Sequence, residues 1–125
     1  MRSPSAWLAA SSAAVALVGC GGHGEKSAPP PPRIPAGIAR ALAADADAVA
    51  RAPSACVAYR AAVKLRRDAL AGISRVPGRY QEQLMSAAND LPARIGPCAH
   101  PRMEGGRVPR GKARELAAWL RQHSR

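Results

Sequence analysis

The apolar residues of the chain fall into four stripes at helical spacing. Between Ala36 and Arg51, Ile38, Leu42 and Val49 share one face and Ala46 fills the gap. Pro35 stands where the first turn of a helix needs no N–H. Asp47 and Arg51 are four apart, in the order that supports a helix. Ala52-Pro53 breaks the pattern, and Ser54 is a good N-cap for a second helix from Ala55 to about Ile73. Its expected apolar face is Cys56, Tyr59, Val63, Leu70 and Ile73, with Lys64, Arg66, Arg67 and Asp68 mostly toward solvent. After the turn Ser74-Arg75-Val76, Pro77 opens a third helix that carries Tyr80, Leu84, Ala87, Leu91 and Ile95 on one stripe. Pro92 inside this stripe predicts a kink, or a restart after Asn89-Asp90. Gly96-Pro97 ends the helix. Ala99–Val108 is rich in Gly, Pro and Arg and reads as irregular. Pro109 then opens a last helix to about His123, with Leu116, Trp119 and Leu120 as its stripe.

These elements predict an all-α fold. Residues 36–98 form a small three-helix bundle, and residues 99–125 form a basic tail whose amphipathic helix is appended to it. Gly21–Pro35, with Gly21-Gly22-His23-Gly24 and Pro29-Pro30-Pro31-Pro32, reads as a disordered tether. Fully extended, it reaches roughly 50 Å. The foldable part is roughly 60 residues, a size at which a core is marginal without a staple. The chain has no Phe, two Tyr and two Trp, so the core must be built from Ala, Leu, Ile and Val.

Cysteine use supplies the staple. Three cysteines are present, at Cys20, Cys56 and Cys98. The second and third helices have similar lengths and a short connection, which makes antiparallel neighbours. The start of the second then lies beside the end of the third, and Cys56 and Cys98 occupy those two places. A bridge closing a loop of roughly 43 residues stabilises by about 4 kcal/mol in the chain-entropy model.

Cys20 has a different context. Met1-Arg2 is a short basic start, Ala6–Val18 is mostly apolar, and small residues precede the cysteine. That is the pattern of a secretory signal peptide over residues 1–19. Ala14-Val15-Ala16 offers an ordinary signal-peptidase site as the alternative. Leu17-Val18-Gly19-Cys20 resembles the lipobox of bacterial lipoproteins. The resemblance implies cleavage between Gly19 and Cys20 and a lipid on the Cys20 thiol. It places residues 20–35 as the tether of a protein held at the extracytoplasmic face of a bacterial membrane. It leaves Cys56 and Cys98 as the pair for a disulfide, which an exported protein can keep. From Ala36 to Cys98 the body is similar to small Ala- and Arg-rich helical-hairpin lipoproteins of GC-rich bacteria, a group without assigned activity.

Charge adds partners to this picture. The formal net charge is +11, with Arg far in excess of Lys. Such a charge favours anionic partners. For an exported protein these are lipid headgroups or wall polymers, and nucleic acid is not among them. The other use of the charge is a well-solvated surface. Arg110, Lys112, Arg114 and Arg121 surround the stripe of the last helix, and with Trp119 they form the candidate face for an anionic surface.

No residue pattern calls for catalysis, a metal or a cofactor. Asp45 and Asp47 are two apart, do not face each other on a helix, and read as solvated charges. His100 and His123 lie beside no nucleophile pattern, Cys98-Ala99-His100 with Met103 lacks a second ligand cluster, and Gly105-Gly106-Arg107 lacks the rest of a phosphate loop. The expected role is a non-enzymatic, lipid-anchored interaction or envelope-maintenance protein that meets an envelope protein partner. The second reading is an accessory subunit binding a membrane receptor or kinase ectodomain.

Overall fold

Among the described residues, proline precedes three of the four helices and serine the other. The computed structural model describes residues 29–98 and 107–125. Its helices are α1 (Ala36–Arg51), α2 (Ala55–Gly72), α3 (Gly78–Ile95) and α4 (Arg110–Gln122), with a short 3-10 turn at Ile73–Arg75 after α2. Pro35, Pro77 and Pro109 each stand just before the first helical residue. Their carbonyls still accept the first helical bonds, from Ala39, Tyr80 and Ala113. At α2 the Ser54 hydroxyl accepts from the Val57 N–H at 3.2 Å, the capping geometry expected of serine there. The expected signal peptide, Cys20, His23, His100, Met103 and Gly105-Gly106 lie outside the described residues.

Pro32–Arg125 is one compact unit. Within it α1 is the central element, packed most extensively on α4 and next on α2, while α3 packs on α2 and barely touches α4. The chain runs up and down. Cys56 at the start of α2 sits beside Cys98 just past the end of α3, at disulfide distance with Cα atoms 5.1 Å apart, so this pair of helices is antiparallel. Arg110 reaches the Ala50 carbonyl at the end of α1, and Ser124 pairs with Ile34 just before its start, so α4 is antiparallel to α1.

The arrangement corrects the expectation of three helices with a fourth appended. The last helix is a full member of the bundle, with Ala113, Leu116, Ala117 and Leu120 buried. A three-helix core without Phe has too little apolar surface to close on itself, and α4 covers the far side of α1.

The buried face of α2 also differs from the expected one. Ala58, Ala62, Leu65 and Ala69 are fully buried, whereas Val63 is half-buried and Leu70 is 55% exposed. The cause is position. Helix α2 lies between α1 and α3, and its small residues admit both neighbours at close range. α1 does the same with Ala39, Ala43, Ala46 and Ala50 beside Leu42 and Val49. Gly72 continues the stripe, for a Cβ there would stand 3.5 Å from the Ile38 side chain. The stripes of α1, α3 and α4 keep their expected large members, Leu42, Val49, Leu84, Leu91, Ile95, Leu116 and Leu120.

Two further local features depart from the sequence reading, the absence of a restart at Pro92 and the burial of Ile34. Helix α3 runs through Pro92 without a break. The proline stands in the last turn, where one lost hydrogen bond is cheap and its ring is buried as core. Gly96, at φ 76°, then ends the helix in a conformation that glycine takes without strain. Ile34, expected in the tether, is fully buried. Its N–H donates to the His123 carbonyl at 2.9 Å, and its carbonyl accepts from the Arg125 N–H at 3.2 Å. The Gln81 amide donates to the Ile73 and Val76 carbonyls and fixes the α2–α3 turn.

Two outcomes follow for stability. Leu65→Ala should cost about 2–5 kcal/mol in urea unfolding, and Leu70→Ala should change it by less than about 0.5 kcal/mol. The opposite ranking would return α2 to the face with Leu70 inside. Peptide mapping without reductant should recover Cys56 and Cys98 in one linked species. Reduction should then lower stability by up to about 4 kcal/mol.

Candidate functional site

The five residues proposed for an anionic surface separate once α4 is folded against α1. The Arg110 guanidinium donates to the Ala50 carbonyl at 2.6 Å and so closes the C-terminal end of α1. Arg121 pairs with Asp47, the partner that the sequence assigned to Arg51. Lys112 and Arg114 are exposed. Trp119 is half-buried and meets Tyr80 edge-on, with ring centroids 5.7 Å apart, and His123 at 4.9 Å. The His123 Nδ1–H donates to the Trp119 carbonyl at 2.8 Å, which holds the imidazole in this cluster. Leu116 and Leu120 are in the core. The apolar half of the candidate face is therefore spent on packing.

The slight contact between α3 and α4 leaves a groove of about 740 Å³ along that edge. Leu91, Leu116 and Ala87 lie in its lining with Trp119. Arg79, Arg94 and Lys112 alternate there with Glu82, Asp90 and Glu115, so its charge is balanced. Asp90 and Arg94 already pair along α3 at 2.5 Å. This rim can hold a polar or zwitterionic segment. Among the described residues, no three or more His, Cys, Asp or Glu gather as a metal site would need, and no helix is long and apolar enough to cross a membrane.

The acidic residues of α1 are structural. Asp45 and Asp47, expected as solvated charges, each bind a different neighbouring helix. Lys64 of α2 bridges Asp45 at 2.8 Å and Asp68 at 2.6 Å. Asp45 is the more enclosed, and its Oδ2 is buried without a hydrogen-bond partner. Burial pushes the Asp45 carboxyl above its ordinary 3.8, against the pull of Lys64. The hydrogen bond from Lys64 holds Asp68 below that value. The two carboxylates in turn raise the Lys64 ammonium above 10.5.

These shifts have opposite signs in stability. Asp45 binds its proton more tightly in the folded chain, so its contribution is full below 3.8 and is lost as pH rises through its raised value. Asp68 binds its proton less tightly, so its contribution is full above 3.8 and is lost as pH falls. Urea midpoints measured from neutral pH to pH about 3 should show this. Relative to the unaltered chain, Asp45→Asn should lose ground as pH falls and Asp68→Asn should recover it. Parallel trends in the two variants would remove Asp45 from the buried side of the cluster.

Family models, curated proteins and solved structures return no match to this chain, and its surfaces are read from its own residues.

Proposed function

We propose that the chain is a non-enzymatic bacterial lipoprotein, anchored by a lipid on Cys20 at the extracytoplasmic face of the membrane. It presents its helical bundle to other envelope components. The observation that carries this reading is Leu17-Val18-Gly19-Cys20 behind a basic start and an apolar run. The cysteine count supports it. Cys56 and Cys98 take each other at disulfide distance, which leaves the third cysteine of the chain for a separate chemistry. A disulfide in the bundle also suits an oxidising compartment. The thiol of Cys20 would take a diacylglyceryl group, and the chain would be cut on its N-terminal side.

The folded unit begins at Pro32, so residues 20–31 join lipid to bundle. Among the described residues, the balanced groove between α3 and α4 is the surface best suited to an envelope protein partner, because the two helices barely touch along it.

Two acyl chains give a durable anchor where one is marginal. Expressed in a bacterial host, the wild-type chain should enter the detergent phase and carry the added mass of the lipid. Cys20→Ser should stay in the aqueous phase or keep its signal segment. Wild-type protein of unmodified mass in the aqueous phase would refute the anchor.

A further inference from the structure

Helix α2 keeps on its outer surface what the bundle did not use. Among the described residues, the exposed large hydrophobic side chains are Val57 and Leu70, and both belong to α2. Val63, one helical line with Leu70 at i, i+7, is half-buried. Arg60 and Arg67 share the same spacing on the adjacent line, and both are exposed. Asp68 is the one acidic residue of α2, and it is already held by Lys64 and approached by Arg67 at 3.7 Å. The outward face is therefore cationic, with Leu70 and Val63 beside Arg60 and Arg67 on one flank and Val57 on the other.

We propose that this face of α2 docks on an anionic bilayer, with Leu70 entering the headgroup region and Arg60 and Arg67 pairing with lipid phosphates. Charge complementarity selects the occupant. A chain of net charge +11 is drawn to an anionic surface, and α2 offers cations and apolar contacts together. α4 offers less apolar surface, since Leu116 and Leu120 are buried and Trp119 is held against Tyr80 and His123. The groove between α3 and α4 has balanced charge and gives an anionic surface no preference. The inference rests on the proposed lipid anchoring. The anchor holds the bundle near lipid, and a face with few contacts then suffices to lay it down.

The test uses Pro32–Arg125, the compact unit that contains every core residue among those described and both cysteines of the pair. The probe is vesicles of phosphatidylcholine with or without phosphatidylglycerol, at low ionic strength. Co-sedimentation should require phosphatidylglycerol and fade with added salt. Arg60→Gln with Arg67→Gln should weaken binding roughly tenfold or more, and Leu70→Gln by several-fold. Leu70→Trp should strengthen it and show a blue-shifted emission on vesicles. The emission of Trp119, held by Tyr80 and His123, should not change with lipid. Thermal melts of the exposed-site variants should match the unaltered unit. Three results would overturn the proposal: no preference for anionic vesicles, release by Lys112→Gln with Arg114→Gln in place of the α2 changes, or sensitivity to the arginines with none to Leu70. The last would mark a face for soluble polyanions. Cys20 is absent from this fragment, so a failure here leaves the anchor reading standing. A failed anchor test leaves the vesicle result standing in its turn.

Discussion

Close approach of helices along alanine stripes is the constraint on which the bundle depends. Without Phe, and with Tyr59, Tyr80 and Trp119 only partly buried, the described residues place no large ring at the centre of the core. The chain brings the helices together instead. Ala39, Ala43, Ala46 and Ala50 on α1, Ala58, Ala62 and Ala69 on α2, and Ala113 and Ala117 on α4 are all buried. Each small side chain contributes little alone, and the gain comes from many backbone and side-chain atoms in contact at once. Leu42, Leu65, Leu84, Leu91 and Leu120 fill what remains, all of them essentially inaccessible to water. Such packing tolerates few changes of volume, because a core built on close approach has no slack to take up an added methylene.

The ends of the helices receive separate ties, as a thin core requires. At one end the Cys56–Cys98 pair joins α2 to the chain after α3, and Arg110 closes the last turn of α1. At the other, Ile34 pairs with residues 123–125, and Arg33 donates to the Gln122 carbonyl. Gln81 secures the connection between α2 and α3 from within. The ion pairs Asp45–Lys64 and Asp47–Arg121 run from α1 to its two neighbours. These pairs are partly exposed and so add modestly to stability, while they fix which helix lies beside which.

This economy decides which surfaces are left for function. A helix that gives its alanines to the interior must leave some large residues outside, and α2 does so with Val57 and Leu70. α4 gives its leucines to the core and engages Arg110 and Arg121 with α1, while Lys112 and Arg114 stay exposed. The α3–α4 edge stays open because α4 is committed to α1. The α3–α4 groove has balanced charge, whereas the outward side of α2 carries Arg60 and Arg67 beside Leu70.

The sequence by itself determined the helices. Proline, serine and glycine at their ends act through local backbone geometry, which needs no tertiary partner, and the spans near Ala36–Arg51, Ala55–Gly72 and Gly78–Ile95 were legible for that reason. The pairing of Cys56 with Cys98 was legible as well, since the length of two helices and a short turn fixes which ends meet. It also gave α4 its Leu116 and Leu120 stripe. Only the tertiary structure decided which face of α2 is inside, because large apolar residues at Tyr59, Val63 and Leu70 are a stronger local signal than alanines, and the preference for alanine arises from having helices on both sides. Only the tertiary structure assigned Asp45, Asp47, Arg110 and Arg121 their partners, for each lies on another helix many residues away. The same is true of Ile34, whose burial depends on the arrival of the far end of the chain.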